Sequence, residues 1–175
     1  MGHDDCVETW MLADGLRLTL RHIAPADAAI EQAFVHGLSP QSSYFRFHGT
    51  ITDLSKKDLE KFTNPDSRNE VALIVLCSRE TSEEEIGVAR YVIDPDGANC
   101  EFAIVVADAW QKRGIGTRLM NALIRHIQGS GVKRISGSVL KRNSAMLKFV
   151  KQMGLVETNI PDDPSISLVT KHLMD

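Results

Sequence analysis

Seven consecutive residues, Gln111-Lys112-Arg113-Gly114-Ile115-Gly116-Thr117, combine two glycines, two cations and a hydroxyl at the point where an apolar run gives way to a helical pattern. The first backbone N–H groups of a helix have no intrahelical partner and stand at the positive end of its dipole, so a helix that starts at Gly114 offers a site for an anion. Glycine lets the backbone approach a phosphate closely. Lys112 and Arg113 add charge beside it, and the Thr117 hydroxyl adds a hydrogen bond. The set suits a diphosphate. A nucleoside-triphosphatase loop would need Gly-Lys-Ser/Thr, whereas Gly116 is followed by Thr117-Arg118. A dinucleotide fingerprint would need a third glycine where Leu119 stands, in a parallel βαβ unit rather than after an antiparallel hairpin.

Glu101 opens the strand that runs into this junction, flanked by Cys100 and Phe102. A carboxylate there either takes a proton from an incoming nucleophile, directly or through water, or is a solvated charge at a strand start. Other chemistry-bearing residues form no second constellation. His22, His36, His48, His126 and His172 are scattered without metal-ligand spacing. Cys6, Cys77 and Cys100 are odd in number and far apart, which predicts neither a disulfide framework nor a metal site and fits a reducing cytoplasm.

The elements that must position these residues can be read from periodicity. Residues 16–21 alternate apolar and polar as a half-buried strand. Pro25-Ala26-Asp27 opens a helix that Gly37 stops, and a second helix starts at Ser55, with Asp58 completing an approximate capping box. Residues 71–77 form a nearly continuous apolar strand, the acidic stretch 82–85 reads as a loop, and residues 86–93 and 100–107 form a hairpin around Asp94-Pro95-Asp96-Gly97. Ile115, Leu119, Leu123, Ile124 and Ile127 make one stripe of a helix over 114–129. A strand over 132–140 must then lie parallel to its predecessor through a crossover. Asn143 starts a further helix that ends at Gly154, and a last strand covers 165–170. The predicted order is β-α-α-β-β-β-α-β-α-β in one mixed α/β domain over 15–175, preceded by a flexible polar lead over 1–14.

The chain has 175 residues, 43% of them hydrophobic, enough for one core without disulfides or metal. Its 20 basic and 23 acidic residues are interspersed, so bulk charge advertises neither nucleic acid nor an anionic membrane. Asp4, Asp5 and Glu8 occupy the place where a signal peptide needs a basic start, and no run reaches membrane-spanning length. A cytoplasmic protein, monomeric or homodimeric, is expected.

The junction resembles the Q/R-x-x-G-x-G/A motif of the GNAT N-acetyltransferases, and Asn143-Ser144-Ala145-Met146 followed by Met153-Gly154-Leu155 resembles that family's second helix signature. The resemblance covers roughly residues 15–173. It implies a mostly antiparallel sheet with helices on both faces and a splayed strand pair at the cofactor site. It implies acetyl-CoA as cofactor, held by Ile104, Val105, Val106, Gln111, Lys112, Arg113, Gly114, Ile115, Gly116, Thr117 and Asn143. For Asn143 the helix N-cap is an equally good reading. The pantetheine arm would bond strand-like to the 104–106 segment, and N–H groups around Val105 and Val106 would polarise the acetyl carbonyl. Glu101 resembles the catalytic base of GNAT lysine acetyltransferases. A base is needed because a lysine amine, with a pKa of about 10.4, must lose its proton at a cost of about 4.6 kcal/mol at pH 7. Counting from Asn143, the position where many members carry an acidic tyrosine is Val150; Tyr91 and Tyr44 are the substitutes on offer. Residues 38–47 resemble the acceptor-side segment of bacterial Pat-type protein-lysine acetyltransferases, with Tyr44 and Arg46 as candidate acceptor contacts. Transfer to a protein lysine is thus the expected activity. A small-amine acetyltransferase, or a coenzyme A-binding module that regulates a partner with little turnover, are the alternatives.

Overall fold

The computed structural model describes residues 6–42 and 54–173. The strands are β1 (Cys6–Met11), β2 (Arg17–His22), β3 (Glu70–Ser78), β4 (Glu83–Ile93), β5 (Asn99–Val106), β6 (Arg134–Leu140), β7 (Val156–Ile160) and β8 (Asp163–His172). The helices are α1 (Ala28–Gly37), α2 (Lys56–Thr63), α3 (Ile115–Gln128) and α4 (Ser144–Gln152), with short 3-10 turns at Pro25–Asp27 and Asp108–Trp110. The eight strands among the described residues form one sheet in the order β1-β2-β3-β4-β5-β6-β8-β7. Every neighbour pairs antiparallel except β5 and β6, which run parallel. None of the described helices is long and apolar enough to cross a membrane.

Both faces of the sheet are covered. Val71, Leu73, Val75 and Cys77 of β3 point to the layer that holds α3 and α4, while Ala72, Ile74 and Leu76 point to the layer with α1 and α2. Double coverage is why β3 reads as a continuous apolar run rather than an alternation. The α3 stripe packs as its periodicity requires, with Ile115, Leu119, Leu123 and Ile127 in the core. Local capping follows the sequence: the Ser55 side chain accepts from the Asp58 N–H, and the Asn143 side chain from the Met146 N–H.

Three segments differ from the sequence reading. Residues 6–11, read as part of a flexible lead, are edge strand β1. Its Glu8 looks solvated in sequence but pairs with Arg118 at 3.2 Å and Arg125 at 3.5 Å on α3. The Arg118 guanidinium also lies over the Trp10 ring at 4.3 Å. Strand β7 was not expected, because an exposed edge strand of mixed polarity carries little periodic signal. The acidic stretch is not a loop: Glu83, Glu84 and Glu85 belong to β4. A register shift in the β3–β4 pairing sets Gly87 opposite Val75 but Glu85 opposite Leu76. This bulge turns Ile86 into the α3 layer and leaves Glu85 buried, 3% exposed, beside Glu31 of α1.

Candidate active site

Strand β5 is held along one edge by β4, from Cys100 opposite Ile93 to Val106 opposite Gly87. A turn closes this hairpin, with the Gly97 N–H donating to the Asp94 carbonyl. On its other edge β5 meets β6 at three positions only: Asn99–Arg134, Cys100–Ile135 and Glu101–Ser136. From Phe102 onward the two strands part. The residue of β6 at the parting is Gly137, and a Cβ built on it would stand 2.6 Å from the Phe102 ring. The ring therefore lies where a β6 side chain would otherwise be. A glycine inside a strand often marks such a close approach, and Gly137 is the sequence signal by which the split could have been found.

The split widens into a cavity of about 620 Å³, a size suited to a single extended organic ligand. Its β5 wall is residues 102–106, its β6 wall 137–139, and α4 closes one side with Met146, Phe149 and Gln152. At the wide end stands the glycine junction. Gly114 is left-handed with φ 82°, and Lys112, the one non-glycine with positive φ among the described residues, has φ 63°. Such inversions gather successive N–H groups on one side into an anion-binding concavity. No side chain caps α3, and its ladder begins with the Arg118 N–H donating to the Gly114 carbonyl. The N–H groups of Ile115, Gly116 and Thr117 thus precede the ladder and point off the positive end of the helix.

The sequence-named residues divide by position. Ile104, Val105, Val106, Gln111, Lys112, Gly114, Gly116, Thr117 and Asn143 all line the cavity. Ile115 is buried in the core and offers only its backbone. Arg113 turns away, its guanidinium stacked 4.9 Å from the centre of the Trp110 ring. The Gln111 amide donates to the Val106 carbonyl at 3.0 Å and reaches the Asp108 carboxylate at 3.4 Å. That same carboxylate accepts from the Ser39 N–H at 3.2 Å and from the Ser42 hydroxyl, tying the segment after α1 to the junction. Asn143 commits its Oδ1 to the α4 cap, which leaves its Nδ2 group for a ligand. Arg142, Gln41 and Ser42 line the cavity without having been singled out from sequence.

Glu101 does not line the cavity. It is exposed at the last paired step before β5 and β6 separate. Val150 is fully buried in the core, and its neighbour Phe149 is among the α4 residues that line the cavity. Tyr91 is also remote: it is buried, hydrogen-bonded to His126 Nδ1 at 2.9 Å, and its phenol is pushed up to about 12 by burial. Tyr44 and Arg46 lie outside the described residues.

The residues present fit a diphosphate-bearing cofactor. The junction supplies unpaired N–H groups, Lys112 and Arg142 supply charge, and a Cβ on Gly116 would stand on the cavity wall, 3.5 Å from Phe149 and 3.9 Å from Val106. Residues 17–156 match the family described as acetyltransferase (GNAT) domain. An acetyltransferase of Pseudomonas aeruginosa is 29% identical over 152 residues, 87% of this chain and 82% of that protein. The GNAT domain of S. lividans PAT superposes with a TM-score of 0.85 at 25% identity, covering 99% of each chain. Acetyltransferase Pat of Mycolicibacterium smegmatis is 42% identical over 72 residues, 41% of this chain and 22% of that protein. Because the family match runs from β2 into β7, and so through every strand that frames the split, the chain belongs to the GNAT acetyltransferases, enzymes that take their acetyl group from acetyl-CoA.

Proposed function

We propose that the chain moves the acetyl group of acetyl-CoA to a primary amine, and that the amine is a protein lysine. The observation that carries this reading is the continuity of one cavity from the unpaired N–H groups of the α3 junction to the open edge of β5. Gly114, Ile115, Gly116 and Thr117 hold the diphosphate through backbone N–H groups, with Lys112 adding charge. Arg113, stacked on Trp110, stiffens the loop rather than touching phosphate. The edge at 104–106 that β6 leaves open takes the pantetheine arm as a strand takes a neighbour, and its N–H groups face the acetyl carbonyl. The Nδ2 group of Asn143 adds a donor.

When bound, the cofactor supplies an activated thioester whose leaving thiol, with an ordinary pKa of about 8.5, needs little acid assistance near neutral pH. Glu101 takes the proton of the attacking amine. Its position one step before the cavity favours a relay through water over direct contact. Lysine as acceptor draws on the likeness to Pat proteins. A small amine is the alternative acceptor. Val150, buried at the position where many family members carry a tyrosine, supports the further alternative of a coenzyme A-binding module with little turnover.

The test is melting temperature in the presence of acetyl-CoA, free coenzyme A, NAD and ATP. The two coenzyme A species are expected to raise it and the others to do much less. Gly116→Ala is the discriminating variant. Its Cβ meets Phe149 at 3.5 Å, an ordinary contact, so the fold is retained while the cradle is filled. Wild-type stabilisation by coenzyme A in that variant would count against the junction. Incubation with acetyl-CoA and a panel of proteins and amines, read by thiol release and mass spectrometry, identifies the acceptor.

A further inference from the structure

We propose that the Phe102 ring, seated over the bare backbone of Gly137, is the stop that limits the length of the acyl chain this protein accepts. The inference rests on assigning the cavity to an acyl-CoA. Strands β5 and β6 run parallel, and their pairing ends at Glu101–Ser136, so the split between them opens in one direction only, toward the α3 junction. A ligand anchored by its diphosphate at that junction and laid along β5 runs into the narrowing end. The part that arrives there is the acyl group.

At the apex the split is closed by one side chain. Phe102 lines the cavity while remaining 6% exposed. Its ring atoms would stand 2.6, 2.9 and 3.1 Å from a Cβ on Gly137, so the ring spans from one strand to the other with no gap at that level. From Val105 back to Phe102 is three residues, about 10 Å at about 3.3 Å per residue. An acyl carbonyl held near Val105 has room for a short chain before it meets the ring. A long chain must displace the ring, which is packed among core residues, or leave the split.

Affinity for acyl-CoA donors of increasing chain length tests this without knowledge of the acceptor. Wild-type protein should bind acetyl-CoA and butyryl-CoA with similar dissociation constants and octanoyl-CoA more than about tenfold more weakly, since refusal of even one methylene in an apolar pocket spans about 10–200-fold. Phe102→Ala should bring octanoyl-CoA to within about threefold of acetyl-CoA while free coenzyme A keeps its wild-type affinity. Phe102→Leu, which preserves more of the core, should shift the ratio in the same direction and serves if the alanine variant does not fold. Equal binding of octanoyl-CoA and acetyl-CoA by wild type, or an unchanged ratio in the variants that fold, overturns the stop. Failure of free coenzyme A to bind wild type overturns the cavity assignment, and the stop with it.

Discussion

Replacing Glu85 by glutamine should stabilise the protein, and by more at alkaline than at acid pH. Glu85 and Glu31 are 3% and 2% exposed. Among the described residues, neither Glu85 oxygen has a hydrogen-bond partner, nor does Oε2 of Glu31. The compensating charge is Arg90, whose guanidinium reaches Glu31 Oε1 at 3.4 Å but also donates to the Phe62 carbonyl at 2.7 Å. Burial, and then the Glu31 carboxylate, hold the Glu85 carboxyl well above the usual carboxylate range, with Arg90 only partly offsetting them. The folded-state pKa is therefore raised above the unfolded value. Below the unfolded value both states are protonated and nothing is lost. As pH rises from there to the folded value, the unfolded chain releases a proton that the folded chain keeps, and stability falls by at most about 1.4 kcal/mol per pH unit. Glutamine copies the size and donor of the protonated carboxyl and has no proton to lose. At about 2–4 °C per kcal/mol for a chain of this size, the melting-temperature gap between Glu85→Gln and wild type should widen by up to about 5 °C per pH unit within that window. Melts followed by circular dichroism between pH 5 and 8, at fixed ionic strength, measure it. Two parallel curves would mean that Glu85 ionises in the fold as freely as in solution, and would refute the buried-pair reasoning.

Two further outcomes concern the site itself. Glu101→Gln keeps size and polarity but removes the proposed base, so coenzyme A affinity should persist while kcat/KM falls by roughly 10²–10⁴-fold. That loss should shrink by about tenfold per pH unit between pH 6.5 and 9, as the acceptor amine loses its proton unaided; full activity across the range would return Glu101 to the role of a surface carboxylate. Val150→Phe should lower stability by about 1–3 kcal/mol, because the side chain it enlarges is fully enclosed in the core, and a denaturant melt reads the loss directly.

What the sequence discloses is what periodicity and end-chemistry encode. The α3 stripe, the β4–β5 hairpin and the Ser55 and Asn143 caps are local, and each came through with its position. Strands β1 and β7 escaped because they are sheet edges: β1 is joined to the fold by pairing with β2 and by long-range charges such as Glu8 with Arg118, neither of which leaves a local pattern. Glu85 reads as solvated because a bulge, which shifts alternation by one residue, turns it inward. At the site, the motif located the junction but not the direction of each side chain. Arg113 and Lys112 are neighbours in sequence, yet one stacks on Trp110 and the other lines the cavity. Counting from Asn143 to Val150 spans nearly two helical turns, and a one-residue difference rotates the chosen position by about 100°; Phe149, not Val150, faces the cavity.

The three residue pairs that join β5 to β6 have a mechanical consequence. The sheet is two plates, β1 to β5 and β6-β8-β7, welded over a short seam and linked besides by the α3 crossover. Along the rest of the seam, the strand edges that in a continuous sheet would brace each other face a cavity. A molecule lying in that gap, bonded to β5 on one side and packed against α4 on the other, is a structural member as much as a cargo. Its arrival stiffens the joint between the plates, and its departure returns that joint to a seam three residues long.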